Sequence, residues 1–435
     1  MGDAKSGRNL VDRRTFIKGV VGGVVLASSI SRVVSAATTP IKIGCLVPLS
    51  GPSIGYGLPT KEALIYTCDK INSEGGILNR KLVPIFRDEQ FQPEVAVRAA
   101  KDLIENEGCK FICGLVSSGN GLAISMAVKD MKGKALLTLL CATASPITEE
   151  KFHRYVSRAA HNMTAWVRSA AAYAAKLWGG TSKNIYTLEP NYVYGRNCAE
   201  EFVAYWKKNV PQAKVVGEAW PPLGTTDFTS YITAILATKP DIVSTGLYGG
   251  DAVAFMTQAS SYGLLKKVKL VGHGMGVMPF LNNLRKGQAA AESSIGVIGV
   301  TPYPFYLFDN PESVKFHKAV FEKSGWYPDV MAVSAHYYLY LLKAAMEKAE
   351  TTDDLEKITN VFDQGLTINH FLGRLHLRGC DHQTLVPFWV GQIGWDSKGK
   401  YPMPILEKEV LKIDKFEELY HTCEEIKALR AKEAK

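Results

Sequence analysis

Two turns in this chain place hydroxyl groups among glycines in patterns that can do chemistry. Gly114-Leu115-Val116-Ser117-Ser118-Gly119 joins a short apolar run to a helical pattern. At such a junction Ser117 and Ser118 can offer hydroxyls and free backbone N–H groups to an anion. Serine is equally good at capping a helix, so these residues alone leave binding and capping open. Cys141-Ala142-Thr143 follows the next apolar run and faces the same crevice. The second turn, Gly51-Pro52-Ser53-Ile54-Gly55, fits the Gly-x-Ser-x-Gly nucleophile elbow. It follows the first strand of the globular part, whereas an elbow normally follows several, so a serine hydrolase using Ser53 is the weaker alternative. Gly55-Tyr56-Gly57 and Gly179-Gly180 lack the Gly-Lys-Ser/Thr ending of a P-loop. Cys109 and Cys113 lack the spacing and the second pair of a zinc site and read as small apolar residues. No metal or cofactor is expected.

The elements that must position these turns alternate along the chain. An apolar strand opens at Ile41 and ends in a Gly/Pro turn; the helix after it repeats Leu64, Cys68 and Ile71 on one stripe and stops at Gly75-Gly76. Helices at about 93–104 and 121–132 and strands at 111–113 and 135–140 complete a first series. A second series starts near Asn162, with strands at 184–188, 214–220, 242–246 and 269–272 and helices at 195–208, 228–238 and 252–261 between them. Strands at 295–301, 371–377 and 388–393, helices at 314–323, 330–350 and 354–362, and a charged helical tail from Asp414 remain. Such alternation predicts an α/β fold of two doubly wound parallel sheets, with later segments returning to complete earlier layers. In sheets of this kind ligands bind at the carboxyl ends of the strands.

The first 37 residues differ from the rest. Arg13-Arg14-Thr15-Phe16-Ile17-Lys18 precedes an uncharged run from 19 to 30 and small residues ending Ser35-Ala36-Ala37, the layout of a secretory signal of the twin-arginine type. The apolar run is too short to span a bilayer, and Cys45 is badly placed for lipidation. Of the net charge of +9, residues 1–37 carry +4 and the remaining +5 is spread along the rest of the chain, which gives no nucleic-acid footprint. Eight cysteines could form disulfides in an oxidising compartment, in a pattern the sequence does not fix.

Particular residues carry a resemblance. Asp88 and Pro93, Gly114 with Ser117-Ser118-Gly119, Ala142-Thr143-Ala144-Ser145-Pro146, Tyr194-Gly195, Thr226-Asp227-Phe228 and Pro240-Asp241 make the chain similar to the type I periplasmic binding proteins of the branched-chain amino acid (Leu/Ile/Val) transporter group. The resemblance implies two parallel-sheet lobes, 40–157 plus 303–372 and 158–302 plus 373–435, after a signal over 1–37. Three crossover strands would join them, near 155–158, 298–303 and 372–377, and the cleft would close by hinge motion. It also implies that Ser117, Ser118 and Thr143 hold a ligand carboxylate beside Cys141, with Tyr56, Tyr194, Tyr248 and less directly Tyr337 walling the cleft. Relatives that bind amino acids carry an acid after the 269–272 strand to pair the ligand ammonium. Here the segment reads His273-Gly274-Met275, and no Asp or Glu occurs from 252 to 291. An unpaired buried ammonium is costly. The expected ligand is therefore a small carboxylate with an apolar or aromatic body packed on Met275. An amino acid or amide is the alternative, with Asp251 or Glu189 as its partner. The implied role is not enzymatic: a monomeric periplasmic receptor, exported by a twin-arginine signal, that delivers a small molecule to membrane ABC permease subunits served by separate ATPase subunits, with no nucleic acid involved. A sensor docking to a signalling receptor is the reading from another class.

Overall fold

Strand β1 (Ile41–Val47) is apolar apart from Lys42 and buried almost throughout, as a central parallel strand must be. The computed structural model describes residues 39–51 and 53–433, so the expected signal segment lies outside the described residues. Helix α1 (Ile54–Ser73) buries Leu64, Cys68 and Ile71 on one stripe. It is followed by β2 (Leu82–Asp88), α2 (Pro93–Glu105), β3 (Phe111–Gly114), α3 (Ser118–Asp130), β4 (Leu136–Leu139) and β5 (Val156–Arg158). These strands form one parallel sheet in the order β2-β1-β3-β4-β5.

The second series runs α4 (Met163–Trp178), β6 (Asn184–Leu188), α5 (Val193–Asn209), β7 (Lys214–Ala219), α6 (Thr229–Thr238), β8 (Ile242–Thr245), α7 (Gly249–Ser261) and β9 (Lys269–Gly272). Two short helices, α8 (Met278–Leu281) and α9 (Ala289–Ser294), lead to β10 (Ile298–Thr301). Helices α10 (Pro311–Ser324) and α11 (Val330–Ala349) then return to pack on α1, and α12 (Leu355–Asp363) packs on α11. Strands β11 (Leu366–His370), β12 (Gly373–Leu377) and β13 (Thr384–Leu385) make a small antiparallel sheet. Finally β14 (Phe388–Gly394) and β15 (Ile405–Ile413) rejoin the second series, giving a seven-stranded sheet in the order β15-β14-β10-β9-β8-β6-β7.

That sheet is mixed where an all-parallel one is expected from the sequence. β14 runs antiparallel to both β10 and β15, because the chain re-enters from the small sheet and turns straight back through a short connection. The chain thus passes between the two large sheets three times: after β5, after β10 and before β14. The tail also differs from expectation. The charged run before it is edge strand β15, and the single tail helix is broken into α13 (Phe416–Leu419) and α14 (Cys423–Glu433). Between them Tyr420 is extended and buried, its hydroxyl accepting from Val386 N at 3.5 Å. The tail packs on the body: Leu419 and Ile426 are buried, and Arg430 stacks on Phe152 at 4.4 Å while donating to Glu149 O. Among the described residues no helix is long and apolar enough to cross a membrane.

A disulfide joins Cys380 to Cys423 across 43 residues and ties α14 to the small sheet. The other six cysteines are free and buried, Cys45 and Cys113 facing each other at 3.9 Å. Replacing both bridged cysteines by Ala should lower stability by about 2–4 kcal/mol, since the cross-link restricts a long loop in the unfolded chain. Urea unfolding of oxidised wild type against the double variant measures this.

Candidate functional site

The carboxyl ends of the two large sheets face a small chamber of about 40 Å³, room for roughly three waters. From the first sheet, β3 ends at Gly114, whose φ of +126° and approach to Leu46 O leave no place for a Cβ: one would lie 1.9 Å from that oxygen. The strand therefore turns sharply, Val116 reaches the chamber, and α3 begins. Ser117 caps this helix, its Oγ accepting from Asn120 N at 3.3 Å, and Ser118 Oγ accepts from Ala144 N at 3.2 Å. Both hydroxyls are thus engaged in holding turns together. Behind them lies Glu89, whose oxygens accept from Val116 N at 3.0 Å and Asn120 Nδ2 at 2.8 Å. Burial outweighs those bonds and pushes its carboxyl up to about 7.

The β4 turn contributes Cys141 and Thr143, and α1 contributes Tyr56. Opposite, Tyr194 opens α5 and Tyr248 precedes α7. The tyrosines form a continuous wall. Tyr248 meets Tyr56 edge-on at 6.1 Å and Tyr194 at 5.7 Å, while Tyr192 stacks on Tyr194 at 5.4 Å. Their polar tips are placed by hydrogen bonds: Tyr194 donates to Gly246 O at 2.9 Å, and the Tyr192 and Tyr248 hydroxyls are 3.0 Å apart. The end of the chamber is closed by Trp166 with His161 stacked on it at 4.0 Å. Burial, with Arg158 nearby, holds the His161 imidazole well below its usual range, so it is neutral. Its Nδ1 has no hydrogen-bond partner among the described residues.

A second buried carboxyl stands beside this wall. Asp329 caps α11 through Oδ1, which accepts from Met331 N and Ala332 N at 3.1 Å each, while Oδ2 has no partner among the described residues. Its neighbour Val330 lines the chamber, and burial pushes the Asp329 carboxyl up to about 7. Burial raises the Cys141 thiol, and the charge of Asp329 raises it further, which places the carboxyl within electrostatic reach of the wall.

Five sequence-derived positions therefore meet in the chamber: Tyr56, Cys141, Thr143, Tyr194 and Tyr248. Ser117 and Ser118 stand behind Val116 instead of in the lining. Met275 is also outside it. Its side chain folds back over Gly272, where a Cβ would meet Sδ at 2.6 Å, and Gly274 and Val277 take its place. Tyr337 is buried elsewhere, donating to Ala159 O at 2.7 Å. Asp251 accepts from Gly224 N at 2.9 Å in an outer hollow of about 660 Å³, and Ser53 lines that hollow too; no histidine bonds to Ser53 among the described residues. The hollow and the chamber share Tyr56 and Tyr248, so this ring pair separates them. Sequence reasoning missed His161, Met163, Trp166, Tyr192 and Val330. Tyr192, two residues before Tyr194 at the same helix start, gave the nearest signal.

With this geometry in place, comparison with known proteins is direct. The family described as periplasmic binding protein matches residues 40–400. The chain is similar to Leu/Ile/Val-binding protein homolog 4 of Brucella abortus, 28% identical over 400 residues that cover 87% of this chain and 90% of the relative. An R. palustris ABC-transporter solute-binding protein in complex with 4-hydroxybenzoate shares the fold with a TM-score of 0.75 at 22% identity, covering 88% of this chain and 99% of that one. A leucine-, isoleucine-, valine-, threonine- and alanine-binding protein from Brucella ovis, in its closed conformation, gives 0.74 at 24% identity, covering 88% and 97%.

The two buried carboxyls make stability depend on pH. Each holds its proton to about 7 in the folded chain, above the value of a free carboxyl, so the stability it lends is complete below about pH 4 and is lost as pH rises to 7. The double variant Glu89→Gln/Asp329→Asn should accordingly show a flatter profile from pH 5 to 7 than wild type, by up to about 1.4 kcal/mol per pH unit for each group. Paired urea titrations at pH 5, 6 and 7 read the difference; parallel profiles would count against protonated carboxyls.

Proposed function

Because the chain belongs to the periplasmic binding protein family, we propose that it serves as the solute-binding component of an ABC transporter and that its solute is a small carboxylate with an aromatic or apolar body and no ammonium group. The chamber wall carries this reading. Four tyrosines and Trp166 surround a space whose nearby acids are pushed by burial well above the usual carboxylate range, and His161 supplies a neutral polar contact. Flat rings pack well on such walls. The carboxylate would rest at Thr143 near the opening of α3, where first-turn N–H groups and the helix dipole favour an anion. Burial, by raising the Glu89 carboxyl to about 7, lessens the negative charge behind that turn.

The chamber as it stands holds only a few waters, so a ring-sized ligand must part Tyr56 from Tyr248. We assign that motion to two lobes, 40–157 plus 303–372 and 158–302 plus 373–435, hinged at the three passages between the sheets. The ligand favours closure by binding the closed form better than the open one. A monomer exported by its twin-arginine signal would then present the closed form to permease subunits, with ATP used by separate subunits.

One observation favours the second reading, an amino acid. Asp329 Oδ2 is buried and without a partner among the described residues, and an ammonium would fill that role. Thermal unfolding of the ligand-stripped protein separates the two. A ligand at 100 times its dissociation constant adds about 2.7 kcal/mol of stability, enough to raise the melting temperature by several degrees. Benzoate-type acids should produce the shift, and leucine and valine should not. A shift with amino acids alone, lost in Asp329→Asn, would replace the first reading with the second.

A further inference from the structure

Behind the Tyr194 wall three side chains that ligate metals converge away from water. Glu189 follows β6, Cys198 is on α5, and His273 follows β9. All three are buried, and their donor atoms lie within 4.8 Å of one another. The nearer carboxylate oxygen, Oε1 of Glu189, is 3.6 Å from His273 Nε2, too far for a hydrogen bond. Neither ring nitrogen of His273 has a partner among the described residues, an unusual state for a buried imidazole. The donors also aim at one place. A Cβ on Gly246 would stand 2.7 Å from Glu189 Oε2, 2.9 Å from His273 Nε2 and 3.1 Å from Cys198 Sγ. Glycine at 246 keeps that space clear. Met163 brings a fourth donor, its Sδ 3.3 Å from Cys198 Sγ.

We propose that Glu189, Cys198 and His273 bind a divalent metal ion of zinc's class, with the Met163 thioether or a water completing four-coordination. The donor chemistry selects the ion. One thiolate, one imidazole and one carboxylate suit zinc or its borderline neighbours, whereas magnesium and calcium require oxygen shells. Charge selects it too: a divalent cation with one thiolate and one carboxylate is neutral overall, the only cheap state for ions without water. On binding, the Cys198 thiol gives up its proton to solvent and the sulfur forms the metal bond. The ion would also stiffen the chamber, since His273 O accepts from Trp166 Nε1 at 2.9 Å and Gly274 is in the lining.

The test is metal binding itself, independent of the transported solute. Purified protein is stripped with a chelator and titrated with Co(II) and with Zn(II), one at a time. Wild type should take up one equivalent of each, and the Co(II) form should show the near-ultraviolet charge-transfer band that a thiolate ligand produces. Cys198→Ser should lose the band, His273→Gln should weaken uptake by at least about 100-fold, and Cys68→Ala, remote from the cluster, should behave as wild type. Failure of wild type to bind an equivalent, a bound ion without the thiolate band, or uptake unchanged in both variants would each overturn the assignment. The wild-type band keeps the test decisive should a variant fold poorly. Solute-induced thermal shifts are scored separately, so loss of the metal site leaves the transport reading standing and the reverse.

Discussion

A guanidinium sealed from water has to find its partners inside the protein, and Arg158, whose Nε alone has none among the described residues, finds them at the point where the chain first leaves the β2-β1-β3-β4-β5 sheet. Desolvation brings its pKa down to about 10, so it stays charged at neutral pH. Its Nη2 donates to Ala144 O at 2.6 Å and its Nη1 to Gln383 Oε1 at 3.1 Å. Gln383 in turn donates to Ala160 O and Thr384 O, and Arg158 N donates to His382 O at 2.9 Å. One side chain thus fixes the exit from β5, the last approach before β14, and the turn that carries Cys141 and Thr143. A buried charge that loses a partner is strongly destabilising, so none of these three segments can shift alone. The chamber inherits its shape from that constraint.

The same scarcity of water governs the electrostatics of the chamber. Glu89, Asp329 and His161 would all titrate or carry charge on an open surface. Burial raises the two carboxyls to about 7 and holds the imidazole well below its usual range. The result is a space with polar contacts and little fixed charge, bounded by rings supplied from both sheets. The Tyr56–Tyr248 pair, in edge contact at 6.1 Å, stands between this space and the outer hollow.

Much of this architecture is legible in the sequence because period and punctuation agree. Leu64, Cys68 and Ile71 give the buried stripe of α1, and runs such as Asn184–Leu188 and Lys269–Gly272 read as strands at their true limits. β15 escaped because an edge strand carries charge for its own protection: Glu407, Lys408, Glu409 and Lys412 resemble a solvated loop or helix. Within the site, the chain's own turns pointed to Cys141 and Thr143 after a strand, and the resemblance to the binding-protein family supplied Tyr194 and Tyr248, all of which the structure brings together. Met275, placed in the cleft by the same resemblance, lies outside the lining because a 3₁₀ turn over His273-Gly274-Met275 sends the thioether back over Gly272. His161 and Trp166 could not be reached at all. Their meeting depends on where α4 is placed after the first crossing, a tertiary fact with no local signature.

The unequal treatment of the cysteines bears on the order of events in the life of the chain. Cys380 and Cys423 are half-exposed and bonded, while six other thiols are sealed in the core, two of them only 3.9 Å apart. A chain threaded unfolded into an oxidising space would show all eight to the oxidant together and have many wrong pairings open to it. A chain that folds first, in a reducing space, hides six and leaves only the pair at its surface to be joined afterwards. Folding ahead of oxidation would turn the packing of the core into protection against mispairing.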